Sequence, residues 1–226
     1  MTRRLTLVWP DARPFAGRGR PIRILALSDE VDPTLASHAV NHTLGPIDAI
    51  VACGDLEPDY LAFVADAFVS TLLLVLGNHD RGVRWQAGAS ALPDAIDPIS
   101  APRIAGIPVA GLSWPRRSDR STDRSELGAW TQATRVIIGG AARSGRPMIV
   151  VSHAPPRGLG DDLADPFHRG FRAYRWLLAR LPVGLWLHGH TTPAASQGWR
   201  LEHDGTPIVN VTGSVLIELV PPARPP

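Results

Sequence analysis

Five apolar runs in this 226-residue chain each end on residues that can bind a cation or carry a proton. Residues 22–27 lead to Asp29, and residues 46–53 lead to Gly54-Asp55. Residues 72–76 lead to Gly77-Asn78-His79-Asp80, residues 147–151 to Ser152-His153, and residues 184–187 to His188-Gly189-His190. Carboxylate, amide and imidazole groups are the oxygen and nitrogen ligands that suit borderline divalent metals such as Mn, Fe, Ni or Zn. Turn chemistry alone accounts for Gly, Asn and Asp after a strand. It does not account for the histidines, nor for five such endings in one chain.

These groups need a scaffold that delivers them to one place. The five runs have the length and composition of buried strands, and helical patterns separate them, which predicts an α/β domain with a largely parallel sheet. In such sheets, ligands collect beyond the carboxyl ends of the strands. Helices are expected over residues 33–44, with Pro33 in the first turn, and over residues 58–68, with Leu61, Val64 and Phe68 on one face. A third is expected from Ser125, as cap, to about Arg143, and a fourth from about Arg169 to Arg180. Residues 81–102 read as loop. Residues 104–114 read as two short strands broken by Gly106 and Pro108. Residues 207–212 and 215–220 read as a closing hairpin-like pair. Residues 1–21 are expected to form an arm or an extra edge strand, residues 22–220 the domain, and residues 221–226 a disordered tail.

The composition narrows the function classes. Hydrophobic content of 44% and charged content of 19% are those of an ordinary globular protein. The formal charge of +2 does not describe a protein that coats nucleic acid. All 23 basic residues are Arg, so no Walker lysine exists. No Gly-x-Ser-x-Gly elbow supports a serine hydrolase, and no Gly-x-Gly-x-x-Gly follows the first strand. The single cysteine, Cys53, precludes an internal disulfide and is expected to be a buried, inert thiol in a reducing compartment. No apolar stretch approaches the roughly 20 residues of a membrane span, so a cytoplasmic protein without a membrane partner is expected.

The order and spacing of Ser28-Asp29, Gly54-Asp55, Gly77-Asn78-His79-Asp80, Ser152-His153 and Gly189-His190 resemble the calcineurin-like metallophosphoesterases. The likeness runs from Ile22 to Leu219. It implies a four-layer αββα sandwich and hydrolysis of phosphate esters by a metal-bound hydroxide. It also implies that Asp55 bridges two ions, that Asn78, His153 and His190 complete the second site, and that Asp29 serves the first. His79, paired with Asp80, would supply the leaving oxygen with a proton. Manganese is the favoured ion, with Fe, Zn or Ni as alternatives, at one or two ions per chain. His153-Ala154-Pro155-Pro156 with His168-Arg169-Gly170 looks most like branches acting on phosphodiesters. The expected partner is therefore a small phosphate ester or a nucleotide, and no protein partner is predicted. A phosphomonoesterase and a catalytically impaired metal- or nucleotide-binding protein are the alternatives.

The match breaks in two places. Where the family has Asp-x-His, Val31 follows Asp29-Glu30, and where it has Gly-His-x-His, Thr192 follows His190-Thr191. Both missing imidazoles belong to the first metal. Glu30, Asp32 or Thr192 could substitute, the enzyme could run on one tightly held ion, or the chain could only bind phosphate. His168 and Arg116 are candidate substrate contacts. The solvated-loop reading competes for Arg116, Arg117 and Arg120, which interleave with Asp119 and Asp123. His38 and His42 lie i, i+4 but lack the intervening Glu of a zinc-hydrolase helix, and read as solvated. His188 reads as a core or supporting group. Specificity is expected in loops 81–102, 114–124 and 156–168.

Overall fold

The computed structural model describes residues 2–37, 43–117 and 123–223. Two mixed sheets face each other. The first has five strands in the order β1 (Arg3–Val8), β11 (Gly213–Val220), β2 (Ile22–Ser28), β3 (Ala49–Ala52) and β4 (Leu72–Leu74). The second has six, in the order β5 (Arg103–Ile104), β6 (Ile107–Leu112), β7 (Met148–Ser152), β8 (Val183–His188), β10 (Thr206–Asn210) and β9 (Arg200–His203). β2, β3 and β4 run parallel, as do β6, β7, β8 and β10, while β11 runs antiparallel to β2 and carries β1 parallel on its other edge.

Three apolar clusters define four layers. Ile24, Val51, Val109, Val151, Leu187 and Val215 belong to the core between the sheets. Leu25, Ile50 and Leu74 pack outward against Leu61 and Val64 of α1 (Pro58–Phe68). Ala110, Val150 and Trp186 pack outward against Ala133 and Val136 of α3 (Glu126–Ile138) and Leu177 of α5 (Arg172–Leu178). Strands with neighbours on both faces must be apolar throughout, which is why the five runs do not alternate. The architecture is the expected αββα sandwich.

Several sequence expectations are corrected. Residues 81–102 contain a helix, α2 (Gly82–Ala89), none of whose described residues is buried. It has no apolar stripe to announce it. The helix expected from Ser125 to Arg143 divides at Gly139 into α3 and α4 (Gly140–Arg143), although Ser125 caps it as expected, accepting the Gly128 N–H at 3.0 Å. A Cβ at Gly139 would meet the Pro98 carbonyl at 2.8 Å, so the chain passes too close for a side chain there. β6 continues through Pro108 because pairing with β7 begins only at Val109. The closing pair is not a hairpin: β10 lies in the second sheet and β11 in the first. The real hairpin is β9–β10, joined through Asp204-Gly205, both at positive φ. The Pro33 helix begins as a 3-10 turn, Pro33–Leu35. His38, His42, Asp119, Arg120 and residues 224–226 lie outside the described residues. Among the described residues, no helix is long and apolar enough to cross a membrane.

Candidate metal centre

Asp29, Asp55 and His190 lie just past the ends of β2, β3 and β8, and all three hold positive φ, at 59°, 58° and 66°. For residues with a Cβ this left-handed backbone costs about 1 kcal/mol or more each, and it persists only where the surroundings over-determine it. The determinants are visible. Asp29 N–H donates to the Gly54 carbonyl at 3.2 Å, and Gly189 N–H donates to the His153 carbonyl at 2.9 Å. Ser28 Oγ donates to the Gly54 carbonyl at 3.0 Å. The strand-end loops are thus tied to one another within each sheet. Two glycines are required by close approach: a Cβ at Gly77 would lie 2.1 Å from Asp55 Oδ1, and one at Gly189 would lie 2.3 Å from Asp29 Oδ2.

At the floor, ligand atoms of Asp29, Asp55 and His153 all lie within 4.8 Å of one another. His153 is fully buried, with Nδ1 2.7 Å from the Cys53 carbonyl. Nδ1 must therefore donate. Nε2 then faces Asn78 Oδ1 at 2.8 Å and Asp55 Oδ2 at 3.3 Å, both acceptors. A lone pair opposed by two oxygens calls for a cation between them, either a proton or a metal ion. Without metal the proton serves: burial opposes the charge, yet the hydrogen bond and field of Asp55 raise His153 to about 9. The donor set thus fits a divalent metal, with Asp29, Asp55, Asn78 and His153 converging.

His190 adds a neutral imidazole. Burial, and then the neighbouring His153, hold its pKa well below the ordinary value. Its Nε2 lies 3.2 Å from the Phe167 carbonyl, which assigns the proton there and leaves the lone pair on Nδ1, although His190 lies outside the group whose ligand atoms fall within 4.8 Å of one another. Its ring packs on Trp114 and on His153, with centroids at 4.6 and 4.9 Å. Asp29 Oδ2 is held by the His190 N–H at 3.0 Å and by Thr212 Oγ1 at 3.3 Å. Thr212 Oγ1 also lies 3.1 Å from the Thr191 carbonyl, while Asn210 Nδ2 donates to that carbonyl at 2.6 Å and to Thr191 Oγ1 at 2.9 Å. The crossing from β10 to β11 therefore sets the last ligand loop.

A cavity of about 290 Å³ opens above this floor, lined by Asp29, Asp55, Asn78, His79, Phe167, His168 and His190. His79 is exposed on its wall, and its backbone N–H donates to Asp55 Oδ1 at 2.7 Å. The expected His79–Asp80 pair does not form. Asp80 is buried, and its Oδ2 accepts the N–H groups of Gly77 and Asp55 at 2.7 and 2.9 Å. Arg116 likewise supports the loop, donating to the Gly77 and Asp80 carbonyls at 3.0 Å, and it borders a separate cavity with Trp85.

The substitutes expected for the missing imidazoles do not gather at the floor. Glu30 is exposed. Asp32 caps the Pro33 turn, accepting from Thr34 N and Oγ1 at 2.9 and 2.7 Å, from Thr2 Oγ1 at 3.0 Å, and from Ser214. Thr192 is exposed, and its Oγ1 accepts the Ala195 N–H at 3.3 Å. Cys53 is buried, and burial pushes its thiol well above the ordinary value, as expected of an inert group. His188 is buried, with Nδ1 3.0 Å from the Gly189 carbonyl, and burial holds it neutral at about 4.

Trp114, Phe167, Asn210 and Thr212 are site residues that sequence reasoning does not single out. Trp114 and Phe167 carry no ligand group, and Asn210 and Thr212 act only once two sheets are brought together.

The chain matches the family model described as calcineurin-like phosphoesterase over residues 22–193. No curated protein matches it. Among solved structures, TT1561 of Thermus thermophilus superposes with a TM-score of 0.58 at 15% identity, covering 85% of this chain and 90% of that one. A dimetal phosphatase from Danio rerio superposes with a TM-score of 0.52 at 12% identity, covering 86% and 88%. The family match spans the strands that deliver Asp29, Asp55, Asn78, His153 and His190, and the chain belongs to the calcineurin-like phosphoesterase family.

Proposed function

We propose that the protein is a metal-dependent hydrolase of phosphate esters that prefers phosphodiesters to monoesters. Family membership and the converging donor set support metal-dependent phosphoester hydrolysis. The preference rests on one observation: among the described residues, no guanidinium lines the cavity above the floor. A monoester is largely a dianion at neutral pH, whereas a diester carries one negative charge. Beyond Asp29 and Asp55, the lining is imidazole, amide and the Phe167 ring, with no guanidinium to balance a second negative charge, which suits the diester. Manganese is proposed for a mixed carboxylate, amide and imidazole set. A cytoplasmic setting is proposed from the one unpaired cysteine.

When bound, a divalent ion supplies Lewis acidity toward the phosphoryl oxygen and lowers the pKa of a coordinated water. The chain supplies the rest. Asp29, Asp55, Asn78 and His153 would hold the ion, with His190 beside them as a further donor, and His153 and His190 are each fixed in one tautomer by a backbone carbonyl. His79, which lines the cavity, would give its proton to the departing oxygen. Phe167 and the Trp114 ring behind it bound the floor and limit access of bulk water.

The test compares kcat/KM for bis(p-nitrophenyl) phosphate with that for p-nitrophenyl phosphate on protein loaded with Mn2+. A preference for the diester of about tenfold or more is expected, and the reverse order assigns a phosphomonoesterase. Val31 and Thr192, in place of two imidazoles, favour a second reading, a protein that binds metal or nucleotide without turnover. Stoichiometric metal with no hydrolysis of either ester would establish that one.

A further inference from the structure

Asn78 and His79 line the metal cavity, and the next two residues, Asp80 and Arg81, line a second cavity of about 620 Å³ with Trp85, Gln86 and Arg116. One turn therefore borders both, closed by the Arg81 N–H donating to the His79 carbonyl at 2.7 Å. The lining of the second cavity is tied to the ligand loops. The indole N–H of Trp85 donates at 3.4 Å to the carbonyl of Leu56, the residue after Asp55. Asp80 accepts the Asp55 N–H at 2.9 Å, and Arg116 donates to the Gly77 and Asp80 carbonyls at 3.0 Å.

Trp85 is the residue that the fold does not explain. It is half-buried on α2, a helix none of whose described residues is buried, and it is not among the residues of the three apolar clusters. A large ring that lines a cavity without joining a core cluster contributes more to recognition than to packing.

We propose that the second cavity takes the nucleobase of a nucleotide diester, with Trp85 as its stacking surface and the specificity-determining residue of the site. The proposal rests on the reading of the neighbouring centre as a phosphodiesterase and names the substrate class. Size supports it. The metal cavity, at about 290 Å³, stands at the lower end of the roughly 300–1,000 Å³ that hold small ligands, which suits a phosphoryl group better than both arms of a diester. The larger cavity next to it gives one arm a place. Chemistry supports it too. Arg81 offers donors only and Gln86 offers both a donor and an acceptor, which matches the carbonyl, ring-nitrogen and amino groups of base edges. Every base has a π-face, so stacking on Trp85 separates base-bearing from base-free substrates more than one base from another.

The experiment uses the full chain with Mn2+ and compares, by calorimetry, adenosine 5′-monophosphate with ribose 5-phosphate, which has the same phosphate and sugar without the base. The wild type should bind the nucleotide at least about fivefold more tightly, Trp85→Ala should remove that advantage, and Trp85→Phe should keep most of it. In turnover, Trp85→Ala should cut the kcat/KM ratio of thymidine 5′-(p-nitrophenyl phosphate) to methyl p-nitrophenyl phosphate by at least about fivefold, mainly through KM. Thermal midpoints check that both variants fold. Equal affinity for the two monophosphates in the wild type, or an advantage that survives in Trp85→Ala, would overturn the proposal and leave the hydrolase reading standing. Equal losses on both diesters would make Trp85 a support of the centre and also overturn it. A base-dependent advantage lost in Trp85→Ala, on a chain that hydrolyses neither diester, would uphold the nucleobase site and remove the hydrolase reading instead.

Discussion

The carboxylate of Asp80 accepts the backbone N–H of Asp55 at 2.9 Å, so the acidic residue after the family's histidine holds a ligand loop instead of pairing with that histidine. The same oxygen accepts the Gly77 N–H. Burial pushes the Asp80 pKa up, and the two amide bonds act against that shift. One side chain therefore joins the loops after β3 and β4 at the floor of the site.

Asp80→Ala should consequently lower stability and metal affinity together. It leaves two N–H groups at the floor without an acceptor, at a cost of about 1–3 kcal/mol each. Thermal unfolding should show the loss, and metal titration should show at least tenfold weaker binding. Asp80→Asn keeps an acceptor and should fall between Ala and wild type. A wild-type midpoint and affinity in the Ala variant would mean that the loops are held by other bonds.

Asn78→Ala tests the floor itself. Asn78 is 1% exposed, and its Oδ1 faces His153 Nε2. Removing that oxygen should cost about 100-fold in kcat/KM, or about 2.7 kcal/mol of transition-state stabilisation, and should weaken metal binding in parallel. A chelator should abolish the activity of the wild type, and added Mn2+ should restore it. Full activity of the variant in the presence of chelator would remove the metal from the reaction.

Asp32 gives a pH dependence separate from the centre. Burial acts to raise its carboxyl, but the hydrogen bonds from Ser214, Thr34 and Thr2 outweigh it and bring the pKa from 3.8 to about 2. A carboxylate lowered by folding stabilises fully above its unfolded value, and that contribution disappears as pH falls through the folded value. Asp32→Asn should therefore cost about 2 kcal/mol near pH 7, with the difference from wild type shrinking from about pH 4 downward. Paired thermal melts across that range read it directly, and a pH-independent difference would contradict the assignment.

The sequence exposes those parts of the site in which chemistry and element coincide. Asp29, Asp55, Asn78, His153 and His190 each follow a buried strand, and an apolar run of that length reads as a strand even without alternation. Two of the glycines have a steric reason as well, since a Cβ at Gly77 or Gly189 would strike the carboxylate of Asp55 or Asp29. What stays hidden depends on tertiary meeting. Asn210 and Thr212 reach Thr191 and Asp29 only because the chain passes from the second sheet to the first, and no local pattern encodes that crossing. α2 escapes a sequence reading because a helix none of whose described residues is buried leaves no stripe. β9 has a readable signal in Asp204-Gly205, the turn type that joins paired strands across two residues.

The last prediction restores what the chain lacks. Val31 is 52% exposed and Thr192 is exposed, so neither is used by the core. Surface changes of this kind typically alter stability by about 0.5 kcal/mol or less. Val31→His with Thr192→His would return the two imidazoles that the family pattern places on the first metal, beside the carboxylate of Asp29. The double variant should bind one more equivalent of Mn2+ than the wild type, measured by elemental analysis after gel filtration, and should hydrolyse bis(p-nitrophenyl) phosphate faster. Either single variant should show less than half of the gain, because one added imidazole beside Asp29 still makes an incomplete set. If the double variant gains no metal, the loops after β2 and β8 have diverged in path as well as in side chain, and the loss at the first site is one of backbone.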